Sequence, residues 1–285
     1  MNMEKVVETL TYVKQFSSCK ILIKVGGAIL NDRIFLQQLC GDLSLLHGVG
    51  ISIVLVHGGG KAINAALEQY NIPSNFQEGL RVTSSDAMNV IEGVMAGQVN
   101  KLLVRALNAV GIEAIGVSGV DNQLLLCEEV SAELGRVGKI TAVNATVLQQ
   151  LLQTQGCAKS GIIPVIAPIG VDSDGNSYNV NADWAACHIA RALGIKKVIY
   201  LTDQDGIFDR EGKVLPTLDL TQMQKLKENS VVQGGMLSKI NAIMASLNAG
   251  VEQVHVLNGK VKNSLIEELF TSRGIGTFCF HTMNP

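Results

Sequence analysis

The chain has 285 residues, of which 47% are hydrophobic and 17% charged, and its formal net charge is −2. This length allows one large domain or two smaller ones, and the low charge without a basic run argues against binding to nucleic acid. No apolar stretch is long enough to cross a bilayer, and residues 1–20 lack the continuous apolar centre of a signal peptide. Six dispersed cysteines without a Cys-x-x-Cys pair are typical of reduced thiols. We therefore expect a cytoplasmic protein that acts on small molecules and has no membrane contact.

The first elements alternate between helix and strand. Residues 3–16 carry an apolar face with helical spacing, formed by Val6, Val7, Leu10 and Val13. This helix precedes the first strand, and we assign residues 1–20 to an N-terminal helical arm. The elements predicted next are a strand that ends at Gly27, a helix over 33–46, a strand that ends at His57, and a helix over 61–70 that Pro73 breaks.

The same alternation continues to the end of the chain. A cap cluster at residues 84–86 begins a long helix to about Asn108, and Asn181 to Leu193 is a helix that Gly194 ends. Other predicted elements are strands at 114–118, 161–167, 198–203, 251–257 and 276–280, a hairpin region at 122–140, and a helix over 236–248. This pattern predicts an α/β fold with an open, mainly parallel, continuous sheet flanked by helices. We expect two lobes, at residues 21–178 and 179–285.

Two predicted strands end in glycine clusters. One apolar run reaches Gly26 and Gly27, and the other reaches Gly58, Gly59 and Gly60. Glycine at a strand end lets the backbone approach a ligand and present N–H groups to an anion. Lys24 lies inside the first apolar run, where a buried cation is costly unless a negative group pairs with it. The sequence therefore predicts a phosphate site at the carboxyl edge of the sheet.

Neither common phosphate-loop motif is present, since Gly60-Lys61 lacks both the preceding glycine and the following hydroxyl residue. Four other clusters carry charge at the ends of elements. They contain Arg81 before a capped helix, Asn179 with Asn181 and Asp183 at a helix entrance, residues 203–206 after a strand, and Lys239 in a predicted first helical turn. Arginine can grip a carboxylate, and N–H groups with lysines can stabilise a transferring phosphoryl group. We therefore predict phosphoryl transfer, with Asp183 holding Lys24 and Lys239.

Each feature also has a purely structural explanation. The glycines can serve tight turns, Arg81 can form a structural ion pair, and Asn179 and Asp183 can cap a helix. Lys239 by itself is typical of a solvated helix residue, and His57 is more typical of a hydrogen-bonded strand end than of a catalyst. Their joint occurrence at the ends of elements favours a functional site.

These motifs resemble the amino-acid kinase superfamily and, within it, the acetylglutamate kinases. The resemblance covers nearly the whole chain, because six motifs occur in the family's order: residues 23–27, 56–60, 79–83, 97–101, 178–183 and 235–239. The first two are shared by the superfamily, whereas the arginine, Asn-x-Asn-Ala-Asp and Gly-Met-x-x-Lys segments are more specific. The resemblance implies an α/β/α sandwich that uses ATP with Mg²⁺ and phosphorylates the γ-carboxylate of N-acetyl-L-glutamate in arginine biosynthesis.

The resemblance also implies a role for each matching residue. Lys24 and Lys239 would be catalytic with Asp183, and Gly26 and Gly27 would contact phosphate. The remaining assignments are substrate contacts from Gly59, Gly60, Arg81 and Asn179, with Gly59 also on phosphate, and an ATP site formed by Asp203, Gln204, Asp205, Gly206, Ile207, Phe208, Val231, Val232 and Gln233. We expect no metal site built from protein side chains. The sequence departs from the family pattern at residues 120–122, at Trp184 and at Gln204.

Regulation and assembly are further expectations. The N-terminal arm and the C-terminal residues 254–277 resemble the arginine-sensitive branch of the family, which implies a homo-hexamer built as a trimer of dimers. L-arginine would be an effector, with Glu268 on its guanidinium and Gly274 and His255 nearby. Two alternatives stay open: a sister kinase for another acylated or carrier-bound amino acid, and a non-catalytic arginine sensor.

Overall fold

A computed structural model describes residues 3–17, 19–77, 79–153, 161–271 and 274–281. Within these ranges, the α-helices are α1 (Met3–Phe16), α2 (Gly27–Leu30), α3 (Arg33–Gly48), α4 (Gly60–Gln69), α5 (Ser85–Glu92), α6 (Asn100–Ala109), α7 (Thr146–Leu151), α8 (Ala182–Ala192), α9 (Leu220–Glu228), α10 (Gly234–Asn248) and α11 (Ser264–Phe270). A π-helical segment, Gly93–Val99, joins α5 to α6, and a short 3₁₀ turn covers Asp121–Gln123.

The strands in the same described ranges are β1 (Lys20–Val25), β2 (Ser52–His57), β3 (Phe76–Gln77), β4 (Leu80–Arg81), β5 (Ala114–Ser118), β6 (Leu125–Glu129), β7 (Gly138–Val143), β8 (Ile163–Ala167), β9 (Ile169–Val171), β10 (Ser177–Asn179), β11 (Lys197–Thr202), β12 (Thr217–Asp219), β13 (Gln253–Asn258) and β14 (Thr277–Phe280). Eight of them form one sheet in the order β12-β14-β13-β11-β1-β2-β8-β5. Its pairs are parallel except β13 with β14. The prediction of a mainly parallel α/β fold is confirmed.

The expectation of one continuous sheet is wrong for the rest of the chain. A separate four-stranded sheet has the order β10-β9-β6-β7, and β3 pairs with β4 in a two-stranded ribbon. The predicted hairpin region corresponds to the antiparallel pair β6 and β7. These strands are short and mixed in polarity, so their burial pattern did not mark them as members of the main sheet. They lie beside the carboxyl edge and help to enclose the site described below.

The main sheet has an apolar core on each face. In β1, Ile21, Ile23 and Val25 pack into one core, whereas Leu22 packs into the other. Successive side chains of a strand point to opposite faces, so Lys24 shares the face of Leu22. Tyr200 of β11 lies beside Lys24 in register and belongs to that second core, which α8 and α10 cover. The alternation of β1 therefore aims Lys24 at these two helices.

Several element boundaries differ from the sequence-based expectations. Strand β1 ends at Val25, because Gly27 already begins α2. The long helix predicted behind Ser84 is capped as expected, by Ser84 Oγ accepting from Ala87 N at 3.1 Å, but the π-helical segment interrupts it. Helix α4 ends at Gln69, so Pro73 follows the helix end and does not cause it. Helix α10 begins at Gly234 and not at Met236, which changes the position of Lys239.

Candidate active site

The two glycine turns meet at the carboxyl ends of β1 and β2. The N–H of Gly58 donates to Val25 O at 2.8 Å, and that of Gly26 donates to Leu201 O at 2.9 Å. A Cβ atom on Gly27 would lie 3.1 Å from the backbone of Gly59 and Gly60. This is tighter than ordinary van der Waals contact, so a side chain here would push the two turns apart. Glycine therefore allows two strand ends to present their backbones side by side.

Asp183 joins two lysines that come from different elements. Lys24 Nζ of β1 lies 2.7 Å from Asp183 Oδ1, and Lys239 Nζ of α10 lies 2.9 Å from Asp183 Oδ2. Asp183 itself lies in the first turn of α8, where Asn181 Oδ1 caps the helix by accepting from Asp183 N at 2.9 Å. The structure therefore brings together the three residues that the sequence marked as catalytic, and each one is fixed by a different element.

The electrostatics of this cluster leave one positive charge uncompensated. Burial alone would raise the pKa of Asp183, but the ammonium groups of Lys24 and Lys239 outweigh it and lower that pKa to about 2. Burial and repulsion from Lys24 lower the pKa of Lys239 to about 8, against the opposing effect of Asp183. Two cations around one carboxylate carry a net charge of +1 in a site that is largely closed to solvent. Such a site is suited to an additional anion.

Lys239 differs from its sequence-based interpretation in two respects. It lies in the second turn of α10 and not in the first, because the helix begins two residues earlier than predicted. It is buried, not solvated, and its ammonium group also lies 5.0 Å from the centre of the Tyr200 ring. The sequence of α10 could not predict this burial, because it results from the packing of α10 against α8 and β11.

Arg81 is a buried cation whose hydrogen-bond partners are neutral. Its Nη2 donates to Asn64 Oδ1 at 2.7 Å, its Nη1 donates to Ser74 Oγ, and its guanidinium lies 4.5 Å from the centre of the Phe76 ring. Burial lowers the pKa of this guanidinium. Among the described residues, no Asp or Glu forms an ion pair with Arg81. The guanidinium is thus held in one orientation by groups that do not neutralise it.

A cavity of about 190 Å³ connects these groups. Lys24, Asp183, Arg81 and Asn179 line it together with the glycine turn at residues 58–60. Asn179 is positioned by its Nδ2, which donates to Thr83 Oγ1 at 3.2 Å, and by its N–H, which donates to Arg136 O at 2.9 Å. The cavity wall therefore combines the Lys24 ammonium group and the glycine turn with a guanidinium and an amide, and Lys239 pairs with Asp183 of the same wall.

The residues predicted for ATP divide into two neighbouring segments. Asp203, Gln204 and Asp205 form an exposed turn after β11, whereas Ile207 and Val232 are buried in the second core. The turn continues to Phe208, which bridges to Val214, and Arg210 Nη2 donates to Asn229 O at 2.9 Å. This bond connects the 203–214 loop to the segment that contains Val231 and Gln233. The charge of Asp203 also reaches Lys239, because it partly opposes the lowering of that lysine's pKa.

Sequence reasoning assigned no role to Asn100, which fixes the glycine turn from behind. Its Nδ2 lies 3.3 Å from His57 Nε2 and donates to Val165 O at 2.8 Å. His57 is fully buried, and burial lowers its pKa to about 4, so the ring is neutral at pH 7. The π-helical segment just before Asn100 also places Met95 against Gly59, where an added Cβ would lie 2.3 Å from Met95 Sδ. π-Helical turns are frequent at functional sites. In the sequence, the only indication of this one is the unusual length of the helix predicted from residues 84–86 to about Asn108.

The residues predicted to bind arginine form a second cluster on the other face of the sheet. His255 lies beside Ile199 in register, whereas Lys24 lies beside Tyr200. His255 Nδ1 is hydrogen-bonded to Glu268 Oε1, and Glu268 Oε2 accepts from Ile275 N at 2.8 Å. Gly274 adjoins Glu268, since an added Cβ would lie 3.9 Å from Glu268 Oε2. Residues 272 and 273 of this motif lie outside the described residues, as does Glu78 of the arginine motif.

Sequence analysis also missed Lys197 of β11. Its Nζ lies 3.2 Å from His255 Nε2 and 5.0 Å from the centre of the Phe16 ring at the end of α1. Burial lowers the pKa of Lys197 to about 8, although Glu268 opposes the shift. A pocket of about 380 Å³ lies next to it, lined also by Phe16, Lys20 and Glu252. Lys197 is the first residue of β11, a position where lysine is usually exposed, so the sequence did not indicate that it would be buried.

Two features are absent from the part of the chain that the structure describes. No group of three or more His, Cys, Asp or Glu side chains in these ranges is arranged to hold a metal ion. Within the same ranges, the helices are too short or too polar to cross a membrane.

Comparison with known proteins places this architecture in a family. Residues 20–258 match the model of the amino acid kinase family. The chain is 41% identical over 283 residues to the acetylglutamate kinase of Oleidesulfovibrio alaskensis, covering 95% of this chain and 94% of that protein. It is also 41% identical over 284 residues to the acetylglutamate kinase of Clostridioides difficile, covering 97% of each.

Solved structures agree on the fold. The N-acetylglutamate synthase of Neisseria gonorrhoeae, in complex with coenzyme A and N-acetyl-glutamate, superposes with a TM-score of 0.87 at 25% identity. The match covers 100% of this chain but only 64% of the synthase. A Giardia carbamate kinase superposes with a TM-score of 0.67 at 13% identity and supports the fold alone, covering 93% of this chain and 99% of the kinase. By its matched residues, its near-full-length relatives and its sheet topology, the chain belongs to the amino acid kinase family.

Proposed function

We propose that this protein is an acetylglutamate kinase, which transfers the γ-phosphoryl group of ATP to the γ-carboxylate of N-acetyl-L-glutamate. The observation that carries this proposal is the cavity lined by Lys24, Asp183, Arg81 and Asn179, with Lys239 paired to Asp183 at its wall. A dicarboxylate that carries an amide next to one of its carboxylates fits this set of groups. The acetylglutamate kinases that match over nearly the full chain support the same substrate.

The transfer needs positioning and charge more than acid–base chemistry. A carboxylate of pKa ~4 is ionised at neutral pH, so no general base is required to activate it. Its oxygen forms a bond to the γ-phosphorus while the bond to the leaving ADP oxygen breaks. Lys24 and Lys239 stabilise the negative charge on the phosphoryl oxygens, and Asp183 keeps the two lysines in place. The N–H groups of the glycine turns add donors for those oxygens.

The residues present fit a nucleoside triphosphate carrying Mg²⁺. The uncompensated positive charge and the two glycine turns lie together, and the 203–208 turn with Val231, Val232 and Gln233 supplies a neighbouring surface for the base and ribose. Mg²⁺ commonly binds through substrate phosphates and waters, and here it would neutralise charge on the β- and γ-phosphate oxygens. Arg81 would hold a carboxylate of the acetylglutamate, and Asn179 would hold its amide region.

A hydroxamate-trapping assay tests the assignment directly, because hydroxylamine captures an acyl phosphate. The assay compares N-acetyl-L-glutamate, L-glutamate, L-aspartate and N-acetyl-aminoadipate, each with ATP and Mg²⁺. We expect efficient turnover with acetylglutamate only. Preference for acetylaminoadipate would favour a sister kinase, and absence of turnover with all four compounds would favour a non-catalytic arginine sensor.

We further propose that L-arginine inhibits this enzyme at the cluster formed by Lys197, His255 and Glu268. The supporting features are a carboxylate for a guanidinium, an ammonium group for a carboxylate, and an adjoining pocket of about 380 Å³ beside Phe16 of α1. Arginine would act by binding one arrangement of α1 and α11 more tightly than another. An exposed apolar stripe on α1, with Val7 and Leu10, supports a homo-hexamer in which the arms join dimers.

A further inference from the structure

A second, larger pocket adjoins the substrate cavity. It has a volume of about 340 Å³ and lies between α8, the β6–β7 hairpin and β4. Its walls are mainly apolar and include Val130, Val137, Ile140 and Trp184. His188 completes one wall next to Trp184, with their ring centres 6.3 Å apart. We call this space the side pocket.

The side pocket and the substrate cavity have four residues in common. Leu80, Val137, Val180 and Asn181 line both spaces. Two of these are chain neighbours of the proposed substrate contacts, since Leu80 precedes Arg81 and Val180 follows Asn179. A group attached to the amide end of the substrate, next to Asn179, therefore meets this shared wall first. Beyond the wall lies apolar space that acetylglutamate does not need.

The side pocket is chemically suited to a hydrocarbon chain. Val137, Ile140 and Val180 are buried, and Trp184 contributes a large apolar ring. Burial, together with the positive charge of Arg191, lowers the pKa of His188, so its ring is neutral at pH 7. Pockets that bind small organic molecules begin at ~300 Å³ and are lined mainly by apolar and aromatic side chains. A few methylene groups fit in this volume.

We propose that the side pocket receives the acyl group of the substrate, so that this enzyme also phosphorylates N-acyl-L-glutamates whose straight acyl chains are longer than acetyl. The inference rests on the proposed function and deepens it by naming the substrate class. The reaction is unchanged: the γ-phosphoryl group moves from ATP to the γ-carboxylate, ADP leaves, and the acyl chain keeps all its bonds.

The first experiment measures kcat and KM for N-acetyl-, N-propionyl-, N-butyryl- and N-hexanoyl-L-glutamate. Burial of one CH₂ group contributes ~0.8 kcal/mol, which corresponds to about a fourfold lower KM for each added carbon. We expect this trend to the butyryl compound with kcat unchanged, because the acyl group is remote from the γ-carboxylate. A tenfold or greater loss of kcat/KM on going from acetyl to butyryl would overturn the proposal.

A filling variant tests the location. Val130 is an exposed wall residue outside the proposed catalytic and binding sets, so Val130→Phe fills the side pocket from its rim. We expect Val130→Phe to lower kcat/KM for butyrylglutamate at least tenfold and to leave acetylglutamate unchanged. Val110→Phe is the matched control, since Val110 is similarly exposed and lines neither space. Equal losses for both substrates in Val130→Phe would contradict an acyl site here.

Binding can be followed without turnover, because Trp184 is the chain's single tryptophan. Titration with butyrylglutamate should change its fluorescence more than titration with acetylglutamate, and Val130→Phe should remove the difference. Turnover and fluorescence together distinguish a failure of the proposed kinase function from a failure of the proposed acyl pocket. If acetylglutamate is not phosphorylated, the proposed function fails, while the titration still tests the pocket. If acetylglutamate is phosphorylated but butyrylglutamate gives neither turnover nor a larger signal, the proposed function stands and the acyl pocket is rejected.

Discussion

At the scale of single residues, the site depends on charges whose partners come from distant parts of the chain. Lys24 lies on a strand, Asp183 and Lys239 lie on two different helices, and the carboxylate forms an ion pair with each lysine. A buried charge is tolerated only with such a partner, so each of the three residues depends on the other two. We propose that the remaining positive charge stabilises the transferring phosphoryl group.

Lys24→Ala should lower kcat by about 10²–10³-fold and leave ATP affinity largely intact, because its charge is needed most in the transition state. Asp183→Asn should be similarly damaging, since it releases both lysines while keeping the shape of the side chain. Steady-state kinetics and nucleotide titration measure the two effects. Lys20→Ala, an exposed lysine on the same strand, is the control. Near wild-type turnover in Lys24→Ala would refute its catalytic role.

Arg81→Ala should raise the KM for acetylglutamate by about 10–100-fold with a smaller effect on kcat, because the carboxylate contact exists in both substrate and transition state. Arg105→Ala, an exposed arginine on α6, is the control for removal of an arginine side chain. An unchanged saturation curve for acetylglutamate would show that Arg81 has a structural role only. The neutral partners Asn64 and Ser74 make that outcome unexpected.

At the scale of elements, helices are anchored to one another by buried polar contacts. Asp42 of α3 accepts a hydrogen bond from Leu265 N at 3.3 Å, in the first turn of α11. Burial raises the pKa of Asp42 to about 6, against the opposing effect of that hydrogen bond. The folded state therefore binds the proton more tightly than the unfolded chain, and ionisation of Asp42 costs stability as the pH rises from about 4 through about 6.

Asp42→Asn should raise the free energy of unfolding at pH 8 by an amount on the order of 1 kcal/mol, because the amide oxygen keeps the bond to α11 and no charge is buried. At about pH 3, where Asp42 is protonated in the folded state and largely protonated in the unfolded chain, the variant should nearly match the wild type. Thermal unfolding at the two pH values measures this. Asp42→Ala should not show the gain to the same extent, since it also removes the acceptor. A lower Tm for Asp42→Asn at pH 8 would contradict the argument.

Glu268→Gln should abolish inhibition by L-arginine while basal activity is retained, because Glu268 lies on the opposite face of the sheet from Lys24. Activity measured against arginine concentration tests this, and we expect a sigmoidal curve for the wild type. Glu267→Gln, the exposed neighbour on α11, should keep the wild-type response. Inhibition that is the same in both variants would exclude this cluster as the effector site.

At the scale of the whole molecule, the C-terminal end of α1 packs against the rest of the chain, and apolar residues nearer its N-terminus are exposed. Phe16 packs edge-on against Phe270 of α11, with ring centres 6.1 Å apart, and Tyr12 and Val13 contact the first core. Val7 and Leu10 are 57% and 61% exposed, which leaves half of the predicted apolar face available to another chain. The side chain of Val6 lies outside the described residues.

Deletion of residues 1–17 should convert a hexamer into dimers, as measured by light scattering, because the arms are proposed to join the dimers. Leu10→Lys should have the same effect by placing a charge in the apolar stripe, whereas Thr11→Lys, an exposed neighbouring position, should not. A native dimer, or a hexamer that survives the deletion, would refute the assembly. Arginine inhibition should be lost together with the hexamer.

The sequence by itself determined most strands of the main sheet, several of the helices, the glycine turns and most of the charged residues that line the site. Apolar runs, helical periodicity and glycine positions are local properties, so β1, β2, β8 and β11 could be located from them. The apolar run of β1 also marked Lys24 as a buried cation that needs a partner. Local sequence patterns were therefore sufficient to predict the α/β fold and the position of the candidate site at the carboxyl edge of the sheet.

Only the tertiary structure decided which residues meet. Lys239 is buried against Tyr200 and Asp183, Asn100 reaches His57, and Lys197 reaches His255. Each of these contacts joins residues that are 39 to 58 positions apart in the chain. The short strands of the second sheet likewise acquire their role from packing beside the site. Such contacts depend on how the helices pack on the sheet, and the hydrophobic periodicity of a single element does not predict that packing.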